Sequence, residues 1–332
     1  MINESMPKSL GALRMSQSGQ VAAPQVVVLG DANPDLVLRG DVVPRFGQAE
    51  QLLDEALLTL GGSAAIVACG LARLGVAVAL VAVVGDDVFG RFVRTRLDEA
   101  GVDTRWVGTS NELATGISVV LGGGDRAILT YPGTIGALTP ADVDAQLLAG
   151  ARHVHVASYF LQPDLVGGLP DILAAARATG ATTSLDTNWD PAELWAGVGP
   201  LLPLVDVLLP NSAELFALAG TGGDPSDPRA QDAAAGMLGK AGTSVALKAG
   251  AEGGVLWTAG GERLTSKSLV VDVVDTTGAG DSFNAGYLSA LIEGRTPQQC
   301  LDRAVVCGSL STRAAGGTSA QADRDEVALF SL

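Results

Sequence analysis

The sequence is poor in cysteine, histidine, aromatic residues and positive charge, and each shortage closes off a class of function. Its three cysteines, Cys69, Cys300 and Cys307, are widely spaced, and His153 and His155 are its only histidines. A zinc cage or a redox dithiol would therefore be short of ligands, and reduced, buried thiols in a cytoplasmic protein are the expectation. Lys and Arg number 21 against 36 Asp and Glu, a formal charge of -15, with no basic run to offset it locally. Such a surface repels phosphate backbones and anionic lipid, so neither nucleic acid nor membrane is expected as a partner. No stretch approaches the roughly 20 uninterrupted apolar residues of a membrane helix. The first two dozen residues lack a signal-peptide core; residues 1–24 read as a loose tail, with Met15 an alternative start.

What the chain does have is apolar bulk, 47% of its 332 residues, enough for a sizeable core. Val26 to Leu29 reads as a buried strand emptying at Gly30 into a polar loop, Asp31 to Asp35. Residues 36–60 and 113–131 are short, partly alternating stretches, too polar for a central parallel strand but suited to a small exposed antiparallel sheet. Ser63 to Cys69 reads as a buried helix, followed by a strand over Val76 to Val84 and a helix over about Val88 to Ala100. Further strands are expected near His153–Ala157, Thr182–Leu185, Val205–Leu209 and Thr243–Lys248, with helices between them. That alternation argues for a doubly wound, mostly parallel sheet with its ligands at the carboxyl ends of the strands. Gly220 to Pro228 reads as a surface loop, and Trp106, Trp257 and both histidines as fold rather than site.

The sharpest feature is Asp275-Thr276-Thr277-Gly278-Ala279-Gly280-Asp281-Ser282-Phe283, after the β-rich Leu269 to Val274 and before an apolar helical pattern from Phe283 to Ile292. Glycine-rich backbone opening a helix points unpaired N–H groups outward, and with the helix dipole these make a pocket for an anion. Asp281 stands in that first turn. A plain helix cap would explain Gly-Ala-Gly-Asp alone, but capping does not call for Asp-Thr-Thr in front. A dinucleotide fingerprint would need Gly or Ala where Phe283 stands, and Gly239-Lys240 is followed by Ala241 rather than the Ser or Thr of a P-loop.

The nonapeptide resembles the carboxyl-terminal signature of the ribokinase-like (PfkB) carbohydrate kinases, and Gly61-Gly62 leading into an apolar helix resembles their amino-terminal one. The likeness runs over about residues 25–318, with the motifs in the family's order. It implies an α/β fold of three layers, α/β/α, a mostly parallel doubly wound sheet carrying a small β-sheet lid. Residues 25–332 would be the kinase domain, with lid segments at about 36–60 and 113–131. The implied activity is ATP-dependent phosphorylation of a hydroxymethyl group of a sugar. Asp281 would be the catalytic base, and the backbone of Gly278, Ala279 and Gly280 the anion hole. Asn33, Asp35, Gly61 and Gly62 would meet the sugar, Asp being apt because two oxygens accept from adjacent hydroxyls. Asn211 and Glu214, an NxxE element, would organise Mg²⁺ and phosphate through water, although Asn with Glu three residues on is also an ordinary capping box. Lys248, Gly250 and Gly253 would lie near the nucleotide. Asp275, Thr277 and Gly316 fall where family members hold K⁺, so K⁺ activation is a further expectation. Exposed lid edges suggest a homodimer.

Two departures bear on the substrate. Asp186-Thr187-Asn188-Trp189-Asp190 resembles the DxNxR segment of fructokinase-like and ketodeoxygluconate-kinase-like members, but Asp190 replaces the Arg, which disfavours a sugar acid. Ile66 stands where the amino-terminal signature commonly has Asn, removing an amide that could reach a sugar hydroxyl. A nucleoside or vitamin-precursor kinase of the same fold and a non-catalytic sugar- or nucleotide-binding regulator stay open as alternatives. Against the nucleoside, no aromatic cluster is evident in the sequence.

Overall fold

A computed structural model describes residues 23–48, 50–122 and 127–330. Nearly all of the expected amino-terminal tail, with Met15, lies outside the described residues. The strands are β1 (Val26–Leu29), β2 (Asn33–Arg39), β3 (Glu55–Gly61), β4 (Val78–Gly85), β5 (Val107–Ser110), β6 (Ile117–Gly122), β7 (Ala127–Tyr131), β8 (His153–Val156), β9 (Thr182–Leu185), β10 (Val207–Leu208), β11 (Ser244–Lys248), β12 (Gly254–Trp257) and β13 (Arg263–Ser266).

Nine of them form one sheet in the order β13-β12-β11-β10-β9-β8-β1-β4-β5, parallel from β11 to β5 and antiparallel only at the β11-β12-β13 edge. β1 sits inside this sheet, and its two faces feed two different cores. Val26 and Val28 pack with helices Ser63–Arg73, Val88–Glu99, Ala279–Ile292 and Pro297–Ser311. Val27 and Leu29 pack with helices Ala145–Gly150, Leu169–Ala178, Ser212–Ala219 and Pro228–Leu238. Each buried Val or Leu contributes about 1.5–3 kcal/mol, so an uninterrupted apolar strand is favoured only where helices cover both faces. The result is the expected three-layer arrangement.

His153 and His155 lie on one face of β8, fully buried, and share the Ser184 hydroxyl at 2.7 Å each, with Thr182 Oγ1 on His153 Nδ1. Burial pushes both imidazoles down, to about 3 and about 4, so they are neutral parts of the core. All three cysteines are free and buried. Among the described residues no helix is long and apolar enough to cross a membrane.

The lid is the four-stranded sheet β3-β2-β6-β7, and it departs from the sequence reading in two ways. Its central pair, β2 with β6, is parallel, with Asp35 opposite Ser118, while β2-β3 and β6-β7 are antiparallel. Asn33, Pro34 and Asp35 are also strand rather than loop, paired with Gly61, Leu60 and Thr59. Pro34 is tolerated because it precedes the first β6 pairing, where a missing N–H costs no ladder bond on that side. Leu269 to Val274 forms no strand, and Val270, Val273 and Val274 are exposed: β-branched composition alone does not make a strand without an edge to pair with.

Candidate active site

The loop from Asp275 to Asp281 lies between two cavities. The first, about 250 Å³, is lined by Asp31, Asn33 and Asp35 from the β1–β2 segment, by Gly62 and Ser63, and by Gly278 and Asp281. An aliphatic wall of Ile66, Val120, Ile128, Ile135 and Leu161 faces these polar groups. The second, about 280 Å³, lies on the other side of the loop against Lys248, Gly250, Gly253, Thr276, Ala279 and Gly280, with Leu269, Val271, Val273, Phe283 and Val305 as its apolar walls. The sequence reading did not identify those apolar walls, whose residues are scattered along the chain from Ile66 to Val305.

Gly278 caps the helix Ala279–Ile292 with φ 70°, and a Cβ there would stand 2.6 Å from Gly317 Cα, so both the left-handed turn and the close approach require glycine. Of the three residues expected to form the anion hole, Ala279 spends its N–H on Thr276 O at 3.2 Å. Gly280 lies one position further into a first turn whose N–H groups have no intrahelical acceptor. Asp281 faces the first cavity and accepts a hydrogen bond from the Ser63 hydroxyl. Burial first, and then the Asp186 and Asp31 charges, push its carboxyl up to about 7 against the opposing pull of Ser63 and Lys248.

Asn33 Nδ2 donates to Asp35 Oδ1 at 3.1 Å, which fixes the Asp35 carboxylate at the cavity wall. Gly61 is needed for this, since a Cβ there would lie 2.0 Å from Asp35 Oδ1. Gly62, at φ 84°, turns the chain from β3 into the helix Ser63–Arg73. Asp31, which the sequence placed in a polar loop without a role, lies beneath them, accepting from Ala64 N at 3.1 Å and Ser158 Oγ at 2.9 Å.

Beneath the second cavity is a buried polar network that sequence reasoning did not assemble. Lys248 Nζ bonds Asp186 Oδ2 at 2.7 Å, and Asn284 Nδ2 donates to the same oxygen at 2.5 Å. Asp186 and Asn284 are fully buried. Burial alone would lower the Lys248 pKa, but the Asp186 and Glu214 carboxylates raise it, so the ammonium stays charged. Asn211 and Glu214 form a complete capping box for the helix Ser212–Ala219: Glu214 N donates to Asn211 Oδ1 at 3.0 Å and Asn211 N to Glu214 Oε2 at 2.8 Å. The cap does not remove the carboxylate from the site. Burial pushes Glu214 up to about 7, with Lys248 pulling the other way. Among the described residues no cluster of three metal-ligating side chains exists. A lone Glu214 with Asn211 suits Mg²⁺, which keeps waters and takes its remaining ligands from phosphate.

Gly250 and Gly253 form the turn after β11, and a Cβ at Gly253 would collide with Ser266 O at 2.1 Å. Asp275, Thr277 and Gly316 are brought together: Asp275 Oδ1 accepts from Thr277 N and Oγ1, and Oδ2 from Gly316 N. Asp190 lines neither cavity, its carboxylate accepting from Ala192 N, Leu194 N and Trp195 N at 2.7–2.9 Å. It pins a loop in which Glu193 and Trp195 take positive φ. An aromatic cluster does exist, contrary to the sequence reading. Tyr159, Phe160, Trp195 and Trp189 make successive edge-to-face contacts at 5.0–5.4 Å, but among the described residues no aromatic side chain lines the first cavity.

The Lys248–Asp186 pair yields a stability test. Lys248→Met leaves a buried carboxylate unpaired and is expected to cost about 3–5 kcal/mol, whereas Lys248→Met with Asp186→Asn costs clearly less than the two single changes together. Urea denaturation at neutral pH measures all three; strictly additive losses would show that the pair is not coupled.

Comparisons with known proteins identify the family and the fold. The family model described as pfkB family carbohydrate kinase matches residues 23–324. The chain is 31% identical over 315 residues to an ATP-dependent ribose-1-phosphate kinase of Halopiger xanaduensis, covering 92% of this chain and 97% of that one. It is 30% identical to a 2-dehydro-3-deoxygluconokinase of Bacillus subtilis, covering 82% and 86%. Its fold is similar to that of Arabidopsis thaliana ribokinase complexed with ribose and ATP, with a TM-score of 0.81 and 26% identity over 92% of this chain and 98% of that one. With a family model spanning both cavities and the loop between them, the chain belongs to the pfkB family of carbohydrate kinases.

Proposed function

We propose that this kinase transfers the γ-phosphoryl group of ATP to a hydroxymethyl group of a sugar held in the first cavity, with the nucleotide in the second. The observation that carries the reading is the loop between them, which presents Asp281 to one side and Gly280 to the other. The sugar oxygen forms its bond to phosphorus as the bond to the ADP oxygen breaks, and Asp281 takes the hydroxyl proton. Asp31 and Asp35, fixed by their hydrogen bonds, accept from neighbouring hydroxyls and orient the ring. Backbone N–H groups of the first turn and the Lys248 ammonium meet the negative charge of the phosphates. Mg²⁺, held near Asn211 and Glu214 through water, supplies further neutralisation of that charge when bound. Lid strands β2 and β6 supply walls of the first cavity, so their closure on substrate excludes water, the competing nucleophile.

An apolar wall opposite the carboxylates, with no aromatic lining, supports a sugar over a nucleoside, whose base would gain from stacking. Relatives include kinases of both neutral and anionic sugars, so a substrate panel spans both classes. The same reading extends to a homodimer through the outer face of the lid, where Leu129 and Tyr131 are exposed side by side on β7. Sedimentation is expected to show a dimer that Tyr131→Asp dissociates; a wild-type monomer at micromolar concentration would contradict it.

ADP release across pentoses, ketohexoses, sugar acids, sugar phosphates and nucleosides tests the activity. One acceptor is expected to drive turnover that falls about 10²- to 10⁴-fold in Asp281→Asn. Because the Asp281 pKa is raised, the base is protonated below about pH 7, and kcat/KM is expected to decline about tenfold per pH unit below that point. Burial disfavours the charged carboxylate, so Asp281→Asn is expected to melt no lower than wild type at neutral pH. Undiminished turnover in that variant would remove Asp281 from the chemistry. Ligand-dependent melting without ADP release would favour a binding protein.

A further inference from the structure

Asp275 stands at the start of the anion-binding loop, with 12% of its side chain exposed. A carboxylate offers about four lone-pair positions, and four donors address this one. Thr277 N at 2.9 Å and Thr277 Oγ1 at 2.8 Å reach Oδ1. Gly316 N at 3.0 Å and Arg39 Nη2 at 3.5 Å reach Oδ2. Arg39 is the last residue of β2, the lid strand that begins with Asn33 and Asp35, and its other guanidinium nitrogen, Nη1, lies 3.4 Å from Glu55 on β3.

The resemblance placed K⁺ on Asp275, Thr277 and Gly316. The groups present do not fit that ion. K⁺ takes oxygen lone pairs, and here those of Asp275 already receive N–H and O–H donors. The Thr277 hydroxyl turns its proton toward Asp275, and Gly316 presents its N–H rather than its carbonyl. A monovalent cation at Asp275 would also meet the guanidinium, a like charge, at close range.

We propose that Arg39 is the built-in counter-ion of Asp275, so that the enzyme turns over without K⁺ and the lid strand is tied to the anion-binding loop through this contact. The kinase reading is assumed for the turnover half of the statement, and the cation-binding half is independent of it. Arg39 is a positioning residue: it acts on the loop through Asp275 and lines neither cavity. A guanidinium carried by the lid reaches Asp275 only when lid and loop are in this relation, so loop order and lid position become one equilibrium.

The experiment compares wild type, Arg39→Met and Arg39→Lys in KCl, NaCl and choline chloride at constant ionic strength. Two readouts are used. One is ADP release with the best acceptor of the panel; the other is ²⁰⁵Tl⁺ line broadening, which reports a K⁺-like site without turnover. Wild type is expected to keep kcat/KM within about twofold across the salts and to show no saturable Tl⁺ site. Arg39→Met frees the Asp275 Oδ2 lone pair that the guanidinium addresses and removes the like charge, so it is expected to lose about tenfold or more in choline, to recover in KCl and to acquire Tl⁺ binding at Oδ2. Arg39→Lys, which keeps a cation there, is expected to stay salt-independent. K⁺ activation of wild type by about fivefold or more would overturn the proposal, as would saturable Tl⁺ binding that Asp275→Asn abolishes. An Arg39→Met enzyme with unchanged rate and no cation response would overturn it as well. If Arg39→Met does not fold, the wild-type and Arg39→Lys results decide. Absence of ADP release in every salt would sink the kinase reading, while the Tl⁺ result would still settle the role of Arg39.

Discussion

The site depends on one buried positive charge. Lys248 places its ammonium at the end of β11, bonded to Asp186 and facing Glu214 and Asp281. Several carboxylates brought this close would otherwise repel one another and take up protons. Lys248 pairs with Asp186 at 2.7 Å, while burial carries Glu214 and Asp281 up to about 7. A base poised near neutrality is what proton transfer from a sugar hydroxyl requires. The same ammonium lines the second cavity, so on the proposed reading the group that holds the carboxylates together would also meet the phosphates.

The sheet explains how these groups meet. Asp186 follows β9, Lys248 ends β11, Asn211 follows β10, and Asp31 follows β1, so parallel strands deliver all four to one edge of the sheet. The helix Ala279–Ile292 then brings Asp281 and Asn284 over that edge from a single turn. The lid completes the enclosure from β2, whose first residues line the first cavity and whose last residue reaches Asp275. One strand therefore touches both the first cavity and the glycine-rich loop beside it.

The parts of this arrangement that could be read from the sequence are those fixed by local backbone chemistry. Gly278 and Gly62 are glycines for a turn and a close approach, and Asp281 follows from its place in a helix's first turn. The alternating strands and helices were legible for the same reason. Pairings across long separations were not. Lys248 and Asp186 are 62 residues apart, and Arg39 and Asp275 are 236 apart. The parallel β2-β6 pair depends on register, which the short alternating segments do not encode, and Asn33 to Asp35 became strand only because β3 lies beside them. Asp190 was legible only as a replacement for a family Arg, and its part as a loop staple is revealed only by its three backbone donors.

The most direct test of the account is an experimental structure of the enzyme with its sugar and a non-hydrolysable MgATP analogue. The account expects the sugar's hydroxymethyl oxygen within hydrogen-bonding distance of Asp281, the γ-phosphate against the N–H groups of the first helical turn near Gly280, and Lys248 on the phosphates with Asp186 still bonded to it. A sugar oriented with no hydroxyl near Asp281, or a nucleotide lying outside the cavity lined by Lys248, Gly250 and Phe283, would contradict it.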